Sequence, residues 1–234
     1  MRGFRRDPAL IGEHGVSPSL GLRDAYTLLA PMIDTDAYLP WLLDAVRMAG
    51  CRIIERKVNA LNDDLLAEFA AQVLVNCTGL GARELGDESV YPLRGAIIRV
   101  RNDGRAMPRI EEAHCISHDG LSSDPGFVFI VPRGRDKLIL GGFAEPNETG
   151  LDIGLHNYEP VREVLQRCVE FLPALKNAEI DSAEPVRVGL RPARQSNVRL
   201  EREPCSRIVH NYGHGGSGVT FSWGCANEVV EMLS

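Results

Sequence analysis

The chain has 234 residues, 44% hydrophobic and 25% charged, which is enough length and apolar content for one large domain or two small ones. Its formal net charge is −6 with acids and bases interspersed, so the cationic face that nucleic acid demands is missing. No apolar run approaches the ~18 residues of a membrane span. Neither nucleic acid nor membrane is therefore expected as a partner.

Residues 1–25 show no clear period and several breakers (Pro8, Gly12, Gly15, Pro18, Gly21), which predicts an irregular segment. The basic start lacks the apolar core of a signal peptide. Over 36–50, Leu39, Leu42, Leu43 and Val46 fall on one helical face and Gly50 supplies a stop. Pro40 suggests that the regular helix begins close to it. Strands are predicted at 52–58 and 73–76, the second an unbroken apolar run of the buried kind, with a weak helix over 65–71 between them. Residues 95–101 and 128–131 read as strands, and the latter pairs with 137–141 across a turn at 133–136.

The clearest helix is 159–172. Val161, Val164, Leu165, Cys168, Val169 and Leu172 share a face, Pro160 sits where a first-turn proline is tolerated, and Pro173 ends the run. A strand over 186–190 follows. The six cysteines (Cys51, Cys77, Cys115, Cys168, Cys205, Cys225) form no CxxC pair, which fits neither a zinc site nor a disulfide framework.

The most informative stretch is 207–226, RIVHNYGHGGSGVTFSWGCA. A short apolar run (Ile208, Val209) enters a loop bearing Gly213, Gly215, Gly216 and Gly218. A segment with helical spacing follows at once: Val219, Trp223, Ala226, Val230, Leu233. A strand that turns through glycines into a helix leaves unpaired N–H groups at the positive end of the helix dipole, with no side chains to block approach. Such a site receives an anion or an electron-rich ring; a tight turn without a ligand is the alternative.

Arg191 heads the candidate side chains. It lies in Gly189-Leu190-Arg191-Pro192, after an apolar strand, and its planar fork of donors matches a carboxylate. A structural ion pair is the competing reading, because Arg187, Arg194 and Arg199 lie nearby with Glu184 and Glu201. Thr78 follows the 73–76 strand, at the carboxyl end where ligands of open α/β sheets bind.

HNYGHGGSGVTFSWGCA, together with VRVGLRPARQSNVRLERE (186–203), Arg56-Lys57-Val58 and VLVNCTGLGARE (73–84), closely resembles the D-amino acid oxidase family of flavoenzymes, in order from about Asp34 to the end. The resemblance implies a mixed α/β fold (α/β with α+β character). A partial FAD-binding Rossmann-like domain (37–88 and 193–234) would be interleaved with a mixed-sheet substrate domain (1–36 and 89–192). It implies FAD as cofactor and oxidative deamination of D-amino acids by dioxygen, giving 2-oxo acids, ammonia and hydrogen peroxide.

By the same resemblance Val58, Thr78, Gly215, Gly216, Ser217, Gly218, Val219 and Thr220 would contact FAD. Arg191 would hold the substrate carboxylate, with Gly216, His118 and Phe129 beside the substrate. His210 and His214 would support the site by hydrogen bonding, and no protein acid or base is required. Two substrate tyrosines of characterised animal enzymes fall on Pro125 and Phe129, so the hydroxyls are lost and side-chain preference stays open. A homodimer and a cytoplasmic or peroxisomal location are compatible with the family.

The strand–GxGxxG–helix unit that opens such flavoproteins has no counterpart here. The expectation is an N-terminally truncated member whose activity as a fragment is open. A related flavin amine oxidase acting on glycine, sarcosine or D-aspartate, or an inert remnant without flavin, are the alternatives.

Overall fold

A computed structural model describes residues 1–116 and 127–233. In chain order the elements are β1 (Arg5–Arg6), α1 (Leu10–Glu13), β2 (Tyr26–Thr27), α2 (Thr35–Met48), α3 (Asp63–Glu68), β3 (Leu74–Asn76), β4 (Val90–Arg101), β5 (His114–Cys115), β6 (Phe129–Arg133) and β7 (Lys137–Gly141). They continue as β8 (Glu145–Pro146), α4 (Glu159–Phe171), β9 (Val186–Arg194), β10 (Arg199–Arg202), β11 (Ile208–Tyr212) and α5 (Gly218–Leu233). The fold is mixed α/β, as expected. Two compact units divide the chain: Met1–Ile53, Ala96–Ala144 and Leu151–Val188 form the first, and Ile54–Gly95, Glu145–Gly150 and Gly189–Ser234 the second.

The first unit is an antiparallel sheet with a helix packed on it. β5, β6, β7 and the second half of β4 lie side by side, with Val131 opposite Ile139 and Ile98 opposite Leu140. Alternation sends Ile98, Val100, Ile130, Leu138 and Leu140 into the core, where each is at most 1% exposed. Against them lie Val161, Val164, Cys168 and Phe171 of α4, spaced three and four apart on one helical stripe. The 128–131 strand, the 133–136 turn and the 159–172 helix thus fold as their patterns predict.

The N-terminal stretch is less irregular than expected. β1 and β2 pair (Arg5↔Thr27, Arg6↔Tyr26), and α1 buries Leu10. α2 begins before Pro40, at Thr35, because the Asp34 carboxylate caps the Asp36 N–H at 3.1 Å. Its predicted apolar face is largely uncovered among the described residues: Leu39, Leu43 and Val46 are exposed and Leu42 is half-buried. What fixes α2 is charge. Asp36 pairs with Arg187 at 2.6 Å and lies 3.7 Å from Arg99 and 3.8 Å from Lys137. The hydrogen bond from Arg187 first, outweighing partial burial, holds the Asp36 carboxyl below the usual carboxylate range.

The second unit holds a three-stranded sheet, β10–β11–β3, antiparallel at its first pair and parallel at its second. β3 is shorter than the predicted 73–76 run, and Val75 is exposed rather than buried. The expected strand at 52–58 is absent. Residues 51–61 have no regular structure, since no described backbone pairs with them, and Ile53 and Ile54 face solvent. α5 is present, but the stripe predicted as its packing face is exposed. Val229 is buried, whereas Trp223 is 60% and Val230 62% exposed.

These burials set opposite expectations for two large side chains. Leu140→Ala should lower stability by about 2–5 kcal/mol through cavity formation, whereas Phe221→Gln, at a side chain 52% exposed on α5, should stay within about 0.5 kcal/mol. Urea denaturation of both variants checks this; a larger loss for Phe221 would contradict the arrangement of α5.

Candidate functional site

Arg191 projects from β9, in the second unit, against two residues that have no side chain. A methyl built at Gly95 of β4 would lie 1.9 Å from Nη1 and 2.6 Å from Cζ of Arg191. One at Gly216 would lie 3.5 Å from its Cδ and 3.7 Å from its Nε. The guanidinium occupies the space that a Cβ on Gly95 would fill. Next along β9, Pro192 packs on Gly79, whose Cβ position is 3.6 Å from the proline ring. Gly95 and Gly216, from separate parts of the sequence, therefore meet at Arg191, and Gly79 meets the proline beside it.

The ion-pair reading of Arg191 fails on geometry. Glu184 is engaged by Arg187 at 2.7 Å and by Arg99, and Glu201 by Arg199 at 2.8 Å. Arg194 pairs instead with Asp87, at 2.9 Å. Nη1 of Arg191 is buried and has no hydrogen-bond partner among the described residues. Burial lowers the pKa of Arg191 from its ordinary value, the direction expected for a cation losing water without gaining an anion. A guanidinium in that state is a ready receptor for a carboxylate.

The glycine turn follows β11. Gly213 has φ +87 and its Cβ position lies 3.1 Å from Cβ of Arg194, so a side chain there would be strained and would also meet that stem. Gly215 has φ +53 and open space beside it, and Gly216 and Ser217 are exposed. The Ser217 N–H turns back to the His214 carbonyl at 3.0 Å. α5 then starts at Gly218 with Val219 and Thr220 exposed in its first turn, where helical N–H groups lack intrahelical acceptors. The turn presents polar backbone to a surface cleared of side chains.

Thr78 is exposed, and its hydroxyl and backbone N–H both donate to Oδ1 of Asn76, at 2.7 and 3.2 Å. Asn76 in turn donates to Nδ1 of His210 at 3.3 Å, and burial, the leading cause, lowers the pKa of that imidazole. His214 lies 3.4 Å from the Cys225 sulfur through Nε2. Both histidines thus bond to the scaffold around the turn. Val58 is half-buried on the irregular segment. Phe129 belongs to the first unit, where its ring lies 3.4 Å from the Cβ position of Gly141. His118 and Pro125 lie outside the described residues.

One group went unseen in the sequence. Asp87 accepts from Tyr212 Oη at 2.8 Å, from Arg194 Nε at 2.9 Å and from Ser89 Oγ at 2.5 Å. Partial burial opposes its ionisation, but these hydrogen bonds outweigh burial and hold its carboxyl at about 2. The local Ser89 contact alone does not mark Asp87, since its other two partners, Arg194 and Tyr212, lie more than a hundred residues away.

A surface cavity of about 310 Å³ lies elsewhere in this unit, lined in part by Asn62, Asp63, Cys205 and Arg207, and borders none of these groups. Its Asp63 is already paired with Arg207 at 2.6 Å, so its charged groups are spoken for. Among the described residues no cluster of His, Cys, Asp or Glu is arranged for a metal ion. No described helix is long and apolar enough to cross a membrane.

A guanidinium unpaired among the described residues thus lies beside a cleared glycine turn at a helix start, donors of the kind that suit a carboxylate and a planar, electron-rich group. The fold agrees with flavoenzymes: a glycine oxidase from Geobacillus kaustophilus matches 69% of this chain and 41% of its own, at 23% identity and a TM-score of 0.56. A D-amino-acid oxidase from Rubrobacter xylanophilus is 40% identical over 99% of this chain and 64% of its own length. One from Streptomyces coelicolor is 39% identical over 87% and 58%, and a human D-aspartate oxidase 34% identical over 93% and 58%. The chain therefore spans about three fifths of the length of these curated relatives. The model of the DAO family, FAD dependent oxidoreductase, matches residues 11–232, and the chain belongs to that family.

The residues present fit the ring end of a flavin: glycines 215 and 216 leave room, and the adjacent Arg191 donor is unclaimed. Gly95→Ala tests how tightly that donor is held. Its methyl would stand 1.9 Å from Nη1, the far end of a flexible side chain, so the guanidinium should swing aside and stability in urea denaturation should fall by less than about 1 kcal/mol, the low end of overpacking costs. A larger loss would show that Arg191 is held rigidly in place.

Proposed function

We propose that this chain supplies the carboxylate-binding and flavin-ring-binding part of an enzyme that oxidatively deaminates D-amino acids to 2-oxo acids, ammonia and hydrogen peroxide. The observation that carries this reading is the buried, unpartnered Nη1 of Arg191 beside the glycine turn. The D-amino-acid oxidases to which the chain is 39–40% identical support it. Likeness to glycine oxidase, at 23% identity, speaks to fold alone and gives no weight to glycine or sarcosine as substrate.

In this reading Arg191 holds the α-carboxylate through its planar pair of donors and stays charged at every working pH. Gly215, Gly216, Ser217, Gly218, Val219 and Thr220 hold FAD from the turn side, with Thr78 and Val58 as further contacts. Held there, FAD would supply the two-electron oxidant for the Cα–H bond, with dioxygen as the final acceptor, which on taking two electrons and two protons becomes hydrogen peroxide. Water then hydrolyses the imino acid to the oxo acid and ammonia. The protein's work is orientation: a fixed carboxylate restricts which face and which hydrogen of Cα the cleft presents. Phe129 and His118 are assigned to the substrate by family likeness, and the compartment to cytoplasm or peroxisome on the same basis.

The test is peroxide release by the FAD-supplemented chain with D-alanine, L-alanine, D-aspartate and glycine. The D-enantiomers should turn over and L-alanine should not. Arg191→Met should raise the KM for D-alanine at least a hundredfold. Equal turnover of both enantiomers, or an unchanged KM in the variant, would overturn the assignment.

A further inference from the structure

We propose that Asp87 is a positioning residue: one carboxylate that clasps both the glycine turn and the strand carrying Arg191, and so fixes the gap between them. The inference rests on the role given above to Arg191 and the turn.

Asp87 sits in the loop before β4, far from β9 and β11 in sequence, yet Oδ2 accepts from one residue of each. Tyr212 Oη donates to it at 2.8 Å, and Tyr212 is the last residue of β11, immediately before Gly213. Arg194 Nε donates at 2.9 Å, and Arg194 is the last residue of β9, three positions past Arg191. The two ends are thus tied to one oxygen.

Further bonds stiffen the clasp. Oδ1 of Asp87 is held by the Ser89 hydroxyl at 2.5 Å and the Ser89 N–H at 3.1 Å. The Ser89 carbonyl accepts from the Gln195 N–H at 3.0 Å, so the loop also grips the chain just after β9. Arg199 donates to Tyr212 Oη at 2.8 Å, and the Asn197 carbonyl accepts from Arg194 Nη1 at 2.9 Å.

Direct packing completes it. The Arg194 stem fills the space above Gly213, whose Cβ position is 3.1 Å from Arg194 Cβ, and Gly213 carries the positive φ that starts the turn. Three residues before Arg194 and three after Gly213, Arg191 Cδ lies 3.5 Å from the Cβ position of Gly216. The clasp and the functional contact therefore join the same two segments, and loosening the first would widen the second. Asp87 touches neither the carboxylate site nor the turn's open side; it acts through Tyr212 and Arg194.

The test compares Asp87→Asn with the unaltered whole chain in two measurements. In hydrogen exchange read by mass spectrometry, the amides of 211–218 should exchange at least tenfold faster in the variant, with those of 129–141 in the first unit unchanged. In peroxide release from D-alanine with added FAD, KM should rise at least tenfold while kcat stays within about threefold, the split expected when carboxylate placement is lost and the reaction at Cα is not. Unchanged exchange over 211–218, exchange raised equally in both segments, or a fall in kcat at constant KM would each overturn the proposal.

Should Asp87→Asn fail to fold, Tyr212→Phe removes a single hydroxyl and should accelerate the same segment at least threefold. If the unaltered chain releases no peroxide, the oxidase reading fails, and the exchange comparison alone then decides whether Asp87 holds the turn.

Discussion

A cation with lost water and no anion is the constraint around which the second unit is arranged. Among the described residues Arg191 keeps one donor buried and unpaired, a state that is unfavourable unless a negative group arrives to complete it. Gly95 and Gly216 make that placement sterically feasible, because any larger residue at the first would stand where the guanidinium is. The acids that could have neutralised it, Glu184 and Glu201, are committed to Arg99, Arg187 and Arg199. Arg187, Arg194 and Arg199 each pair with an acid, and Arg191 has no such partner among the described residues, which leaves its donors available to a carboxylate.

The two units use charge in different ways. In the first, buried Arg99 lies among Asp36, Asp181 and Glu184, and this cluster anchors the start of α2 although that helix fully buries none of its apolar stripe. In the second, Asp87 spends its lone pairs on Tyr212, Arg194 and Ser89, and its ionised form persists to about pH 2. That carboxylate remains an acceptor throughout the range in which a protein of this type works, so the geometry it holds is insensitive to ordinary pH change.

How much was legible in the sequence depended on the range of the interactions. The β6–β7 hairpin, α4 and the β11–turn–α5 passage were readable because periodicity, proline and glycine act within a few residues. Arg191 was readable as a chemical type within an unusual string. The faces of α2 and α5 were not: spacing showed that Leu39, Leu43, Trp223 and Val230 share helices, but cannot say whether anything covers them. The strand expected at 52–58 failed for a related reason, since an apolar run becomes a strand only where a backbone partner exists. Asp87 was invisible because its meaning comes from Arg194 and Tyr212, brought to it by folding alone.

The central claim is that the Arg191 guanidinium is an open carboxylate receptor, and it can be tested without flavin. Nitrogen NMR of the arginine side chains, recorded while D-alanine is added to the unaltered chain, reports each guanidinium separately once Arg191 is assigned by an Arg191→Lys variant. The account predicts a saturable shift at Arg191 with D-alanine and none with D-alanine amide, which lacks the carboxylate. An unmoved Arg191 signal, or the same response to the amide, would contradict it.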